Sequence, residues 1–283
     1  MPPVREISAE TITETVRKLY LLTNVSLGGD VRDAVREGLE RETSPAGRDA
    51  LEKILENADI AEETGIPICQ DTGLPIVFLE LGQDVHVSGG DLGAAVQEGI
   101  RRASRDGYFR KSVCDPLTRE NTGDNTPAVV HTEIVPGDGL RIAVMAKGGG
   151  SENMSSVDMM LPGAGPEGIR DLVVERVRRA GPNPCPPVIV GVGIGGSLER
   201  AALISKKALL RPVGRPHPSG GPPALLEREI LEGVNRLGIG PQGYGGAVTA
   251  LAVHVEMEPC HLASLPVAVT LQCHAARHRE ETL

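Results

Sequence analysis

The chain has 283 residues, enough for roughly two domains at ~150 residues each and long enough to bury a core without disulfide staples. Lys and Arg number 29 against 38 Asp and Glu, a net charge of −9, which argues against a nucleic-acid partner because that needs a basic surface field. No apolar run approaches the ~18–20 residues that span a bilayer, and the start MPPVREISAE lacks an apolar signal core; the expectation is a cytoplasmic protein with no membrane partner.

In chain order, the first third predicts helices. Ser8 caps a segment with Ile12, Val16, Leu19 and Tyr20 on one face. Asp30 is the expected cap of the next, which carries Val31, Ala34, Val35 and Leu39. Ser44 followed by Pro45 opens a third, with Leu51, Ile54, Leu55 and Ala58, stopping near Gly65. A polar loop around Cys69 precedes a strand over 76–81 and a helix over about 91–106. AVVHTEIV and LRIAVMA, separated by PGDG, predict a hairpin. The loop KGGGSENMS leads to a helix over about 166–179, then PVIVGVGIGG predicts a buried strand and SLERAALISKKALL the helix it feeds. Residues 211–223 are too rich in Pro and Gly for an element. LLEREILEGVNRL predicts a last helix, and GAVTALAVHVEME and LPVAVTLQ predict strands. Hairpins mixed with strand–helix units imply a mixed α/β (α+β) fold. Its expected organisation is an N-terminal helical part over 1–66 and an α/β part over 67–283.

Five cysteines, Cys69, Cys114, Cys185, Cys260 and Cys273, form no CxxC pair. An odd count without a secretion signal argues against a disulfide framework. GVGIGG fits the dinucleotide fingerprint through Gly191, Gly193 and Gly196. The fingerprint also needs an acidic residue ~20 positions on, and Pro216 stands there, so a nicotinamide oxidoreductase is the weaker alternative. KGGGSENMS is either a backbone cradle for an anion, with Lys147 as a fixed charge, or a long strand exit using Gly for its freedom. In FRKSVCDPLTRENTGDNTP, Arg110 or Arg119 offers a fork for a carboxylate. The segment 259–278 gathers His261, His274, His278, two cysteines and Arg277 around a strand.

Together, PICQDTG, FRKSVCDPLTRENTGDNTP, KGGGSENMS, GVGIGGSLERAALISKKALL and PCHLASLP with QCHAARH resemble the α component of the class I fumarate hydratase/tartrate dehydratase family. The resemblance runs from about Glu10 to His278. It implies a 4Fe–4S cluster held by three cysteines in inter-element loops, with one iron open as a Lewis acid. The matching positions are Cys69, Cys185 and Cys273, leaving Cys114 and Cys260 structural. It also implies Gln70 and Asp71 at the substrate, His261 as an acid/base or polarising group with Asp71 as its partner, Arg110 as the carboxylate grip, and Gly149 and, more weakly, Lys147 as further substrate contacts. Single-chain members continue into a β domain with further cationic clamps and the Thr carbon base. Since this chain ends at Leu283, the resemblance implies the α subunit of a heteromeric hydro-lyase, completed by a β subunit, acting on fumarate/malate or on tartrate.

Overall fold

A computed structural model describes residues 4–283. The elements are β1 (Arg5–Ser8), α1 (Ala9–Val25), α2 (Gly29–Arg41), α3 (Pro45–Thr64), β2 (Leu74–Gly82), β3 (Val85–Ser88), α4 (Leu92–Asp106), β4 (Val129–Val135), β5 (Leu140–Lys147), α5 (Gly149–Glu152), β6 (Ser156–Met160), α6 (Gly165–Ala180), β7 (Val188–Gly195), α7 (Leu198–Ala208), α8 (Gly221–Asn235), β8 (Ala250–Glu258), β9 (Leu265–Gln272) and β10 (His278–Thr282). This is an α+β fold. Its contacts divide it into two compact units. One comprises the described residues through Leu27, Ala58–Gly149 and Arg277–Leu283; the other comprises Gly28–Asn57 and Gly150–Ala276. Among the described residues no helix is long and apolar enough to cross a membrane.

In the first unit, Ser8 caps α1 by accepting the Thr11 N–H at 3.0 Å. The face that the 3.6-residue period marks out, Ile12, Val16, Leu19 and Tyr20, is buried with Val96 and Ile100 of α4 and with Val77, Leu79, Ile142 and Val144 of the sheet. Each such aliphatic side chain contributes about 1.5–3 kcal/mol on full burial. The sheet order is β10-β5-β2-β4. The expected hairpin of β4 and β5 does not form: β2 lies between them, antiparallel to β5 and parallel to β4. The physical reason is burial. The β2 sequence Ile76–Val77–Phe78–Leu79 is apolar on both faces and fully buried, so it takes a central place, whereas β4 exposes Val129 and Ile134 and sits at the edge. The short strands β1 and β3 form a separate parallel pair that periodicity did not mark.

In the second unit the sheet order is β6-β9-β7-β8, and α6 and α8 contribute Ile169, Val173, Leu226 and Ile230 to its core. The expectation that Asp30 caps α2 is corrected: Gly28 occupies that position without a side-chain bond, and the Asp30 carboxylate accepts the Val213 N–H at 2.7 Å instead. Asp30 thus ties down the Pro- and Gly-rich loop. In β7, Val188, Val190, Val192 and Ile194 face the core shared with α6 and α8. Gly191 and Gly193 face α7, where a Cβ would collide with the carbonyls of Ser205 and Ala201. These two glycines belong to strand–helix packing. They are not in a phosphate loop, and the nicotinamide alternative loses its only support.

Candidate active-site loops

The three cysteines singled out for a cluster all lie in loops: Cys69 between α3 and β2, Cys185 between α6 and β7, Cys273 between β9 and β10. Cys185 is exposed and the other two are half-buried. Among the described residues, no group of three or more His, Cys, Asp or Glu is gathered as ligands of a single metal ion. A cubane takes one thiolate on each of several irons, so its ligands need not meet at one point.

In the first unit, the loop 68–73 is held from below. The Ile68 N–H donates to the Asn24 carbonyl at 2.9 Å, and the Tyr20 hydroxyl reaches the carbonyls of Thr72 and Gly73 at 3.3 Å. Arg277 donates from Nη2 to the Asp71 carbonyl at 2.9 Å and from Nη1 to Asn24 Oδ1 at 3.3 Å. Burial pushes the Tyr20 hydroxyl well above its ordinary pKa, against the pull of the nearby Arg277 cation. Arg277 is 1% exposed, its Nε has no hydrogen-bond partner, and no carboxylate pairs with it among the described residues. Desolvating a lone guanidinium costs several kcal/mol, so this placement marks a position where a cation is needed.

The loop presents its polar groups outward. The Asp71 N–H donates to Cys69 Sγ at 3.4 Å. Asp71 Oδ1 accepts the Gly73 N–H at 2.9 Å and Oδ2 the Gly149 N–H at 2.8 Å. The KGGGSEN stretch is therefore bound to the QDTG stretch by its own backbone, and the one-turn α5 follows. The Gly149 N–H, expected to point at substrate, is engaged by Asp71; the carboxylate expected to pair with His261 has each oxygen on a backbone amide. Lys147 is 1% exposed and donates to the Gly148 carbonyl at 3.3 Å. Thr72 Oγ1 donates to the Arg110 carbonyl at 3.0 Å, and Asn125 Nδ2 donates to the same oxygen at 3.0 Å. Arg110 is thereby fixed at its backbone, while its side chain is exposed. Cys69, Gln70, Asp71, Gly149 and, through Thr72, Arg110 are thus joined in one small network, with Gln70 exposed beside Cys69.

In the second unit, Cys185 and Cys273 are joined through their neighbours. The His274 N–H donates to the Cys185 carbonyl at 3.4 Å and its Nδ1 lies 3.0 Å from the same oxygen. Cys185 has φ 55° and Gln242 φ 52°, left-handed conformations that cost a non-glycine residue about 1–2 kcal/mol each. His261 sits in the β8–β9 loop, exposed, with its Nδ1 accepting the Ala263 N–H at 3.1 Å. Cys260 is exposed and donates to the Ser264 carbonyl at 3.2 Å, and Cys114 forms an isolated bridge with Asn121. Sequence reasoning gave no role to Arg277 or Gln242. The available signals were a lone cation in the small apolar stretch HAAR and an amide within PQGYGG.

Residues 13–282 match the profile of the fumarate hydratase (Fumerase) family, and the chain belongs to that family of hydro-lyases. Among curated proteins it is 42% identical to a Methanocaldococcus jannaschii protein named "Putative L(+)-tartrate dehydratase subunit alpha", over 94% of this chain and 95% of the relative. It is 34% identical to the "L(+)-tartrate dehydratase subunit alpha" of Escherichia coli K12, over 99% of this chain and 92% of the relative.

Proposed function

We propose that this chain is the α subunit of a two-subunit iron–sulfur hydro-lyase that interconverts fumarate and (S)-malate. Cys69, Cys185 and Cys273 are the thiolates that would hold a 4Fe–4S cluster. Their chemistry fits: all three are loop-borne cysteines, and Cys69 accepts a backbone N–H. Bound there, a cluster with one open iron supplies a Lewis acid for the hydroxyl being added or removed. The rest is the work of side chains. Arg110, exposed and anchored by its carbonyl, grips a substrate carboxylate with two parallel N–H bonds. Asp71, fixed through both oxygens, orients the hydroxyl and holds its proton. Gln70 adds an amide, Gly149 brings loop backbone to the substrate, and Lys147 contributes positive charge beneath it. His261 serves as an acid/base or polarising group. The observation that carries this reading is the network joining Cys69, Asp71, Arg110 and Gly149.

A second reading, dehydration of L(+)-tartrate to oxaloacetate, is favoured by the names of the relatives. Tartrate adds one hydroxyl to the same four-carbon dicarboxylate, so the clamps serve both. The deciding experiment is anaerobic reconstitution of the chain with and without a β subunit. It would measure iron and sulfide, the absorption spectrum, and turnover of fumarate and L(+)-tartrate. The expected outcome is cluster binding, no turnover by the chain alone, and faster fumarate turnover with the partner. Full turnover by the chain alone would defeat the subunit reading, and faster tartrate turnover the choice of substrate.

A further inference from the structure

Within the second unit, one side chain serves both cysteine loops. Gln242 donates from its backbone N–H to the Pro186 carbonyl at 2.7 Å and from Nε2 to the same oxygen at 2.8 Å. The same Nε2 lies 3.0 Å from His274 Nδ1. Pro186 follows Cys185, and His274 follows Cys273. His274 in turn holds the Cys185 carbonyl through its backbone N–H. One amide therefore fixes the chain immediately after each of two thiols.

The turn that bears Gln242 is itself anchored. Glu42 is buried and accepts the N–H groups of Ala247 and Val248 at 3.0 and 2.9 Å, and the Gly240 N–H donates to Thr249 Oγ1 at 3.2 Å. Gln242 and Cys185 both adopt the left-handed conformation without being glycine. Such conformations persist only where surrounding bonds over-determine them, and they cluster at functional sites. Here the surrounding bonds are those between these two residues' own segments.

We propose that Gln242 is a positioning residue that, with His274, sets the Cys185 and Cys273 loops in their ligand-holding arrangement before any cluster arrives. The inference rests on the reading of Cys185 and Cys273 as cluster thiolates. A preset pair of loops avoids ordering two segments at the moment of assembly, so it should slow loss of iron as well as speed uptake.

The test uses the full-length chain first without and then with its cluster, in wild type, Gln242→Ala and Gln242→Glu. Gln242→Glu keeps the shape but sets a carboxylate against the Pro186 carbonyl, so it should be no milder than Gln242→Ala. Gln97→Ala is the control, because Gln97 bridges the Ala128 backbone in the first unit in a similar two-way fashion. Amide hydrogen exchange in the unloaded chain should rise about tenfold over 183–188 and 272–276 in both Gln242 variants. Iron release to a chelator from the loaded protein should speed up by a similar factor, with an altered spectrum of the reduced cluster. Gln97→Ala should change none of these. Unchanged exchange at both segments in Gln242→Glu overturns the inference whatever the iron content. A wild-type chain that takes up no iron or sulfide overturns the ligand reading instead, and is told apart because exchange at the two loops would still respond to Gln242.

Discussion

The two compact units hold their candidate loops by different means. In the first, the Cys69 loop is fixed by buried residues reaching up from α1 and from the segment before β10: Tyr20, Asn24 and Arg277. In the second, the carbonyls of Cys185 and Pro186 are held by the His274 N–H and by Gln242, with two residues in left-handed conformations. The first arrangement depends on a permanent buried cation. The second depends on a lattice of neutral hydrogen bonds over a unit whose buried ionisable groups include Glu42 and His254. The difference implies that the first loop responds to removal of one charge, and the second unit to pH.

The largest expected effect treats the two loop sets alike. Cys69→Ser, Cys185→Ser and Cys273→Ser should each abolish turnover of the reconstituted enzyme and lower its iron content, while Cys114→Ser and Cys260→Ser keep most activity. Equal tolerance of all five would break the comparison at its root. Next comes Arg277→Met, which removes the cation but keeps the bulk. It leaves the Asp71 carbonyl and Asn24 Oδ1 without donors, each loss worth about 1–3 kcal/mol, while relieving a desolvated charge of comparable cost. Thermal stability should therefore shift by no more than about 2 kcal/mol, whereas kcat should fall about 10²-fold through misplacement of Asp71. A large drop in melting temperature with kcat preserved would show that Arg277 serves the fold alone.

The pH prediction separates the units. Burial, aided by the Arg211 cation, depresses the His254 pKa to about 4 from an ordinary value of 6.5. The unfolded chain takes up this proton below pH 6.5 and the folded chain resists until about pH 4. The contribution of His254 is thus complete above pH 6.5 and is lost as pH falls towards 4, by up to about 3 kcal/mol. Burial also pushes the Glu42 carboxyl up, but the N–H groups of Ser44, Ala247, Val248 and Thr43 outweigh it and hold it below its ordinary value. Its share is likewise lost in acid. Hydrogen exchange at pH 7 and pH 5 should show the second unit loosening first, and His254→Asn should flatten the slope between pH 6.5 and 4. The smallest effect is Ser8→Ala, which removes the α1 cap and should cost about 1 kcal/mol, read by denaturant unfolding and confined to the first unit.

Much of this was legible in advance. The α1 face, the Ser8 cap and the end of α3 near Gly65 all follow from local pattern and are present. The residues of PICQDTG, FRKS and KGGG that resemblance gathered in advance are joined in the first unit by hydrogen bonds that no spacing rule encodes. The hairpin reading of β4 and β5 failed because local alternation says nothing about a third strand entering between two others. Gly191 and Gly193 matched a phosphate-loop pattern because tight helix packing and tight phosphate approach both demand a missing Cβ.

What the sequence determined by itself was therefore what neighbours along the chain decide: helix faces, the Ser8 cap, helix stops, the buried strands, and the set of loops rich in chemistry. Only the tertiary structure decided which strand is central, which glycines face a helix, and that Arg277 and Gln242 hold loops far from them in sequence. The physical reason is the reach of the interactions. Periodicity and capping act over one or two turns, whereas the placement of a buried guanidinium or a bridging amide depends on carbonyls brought close by the packing of the entire unit.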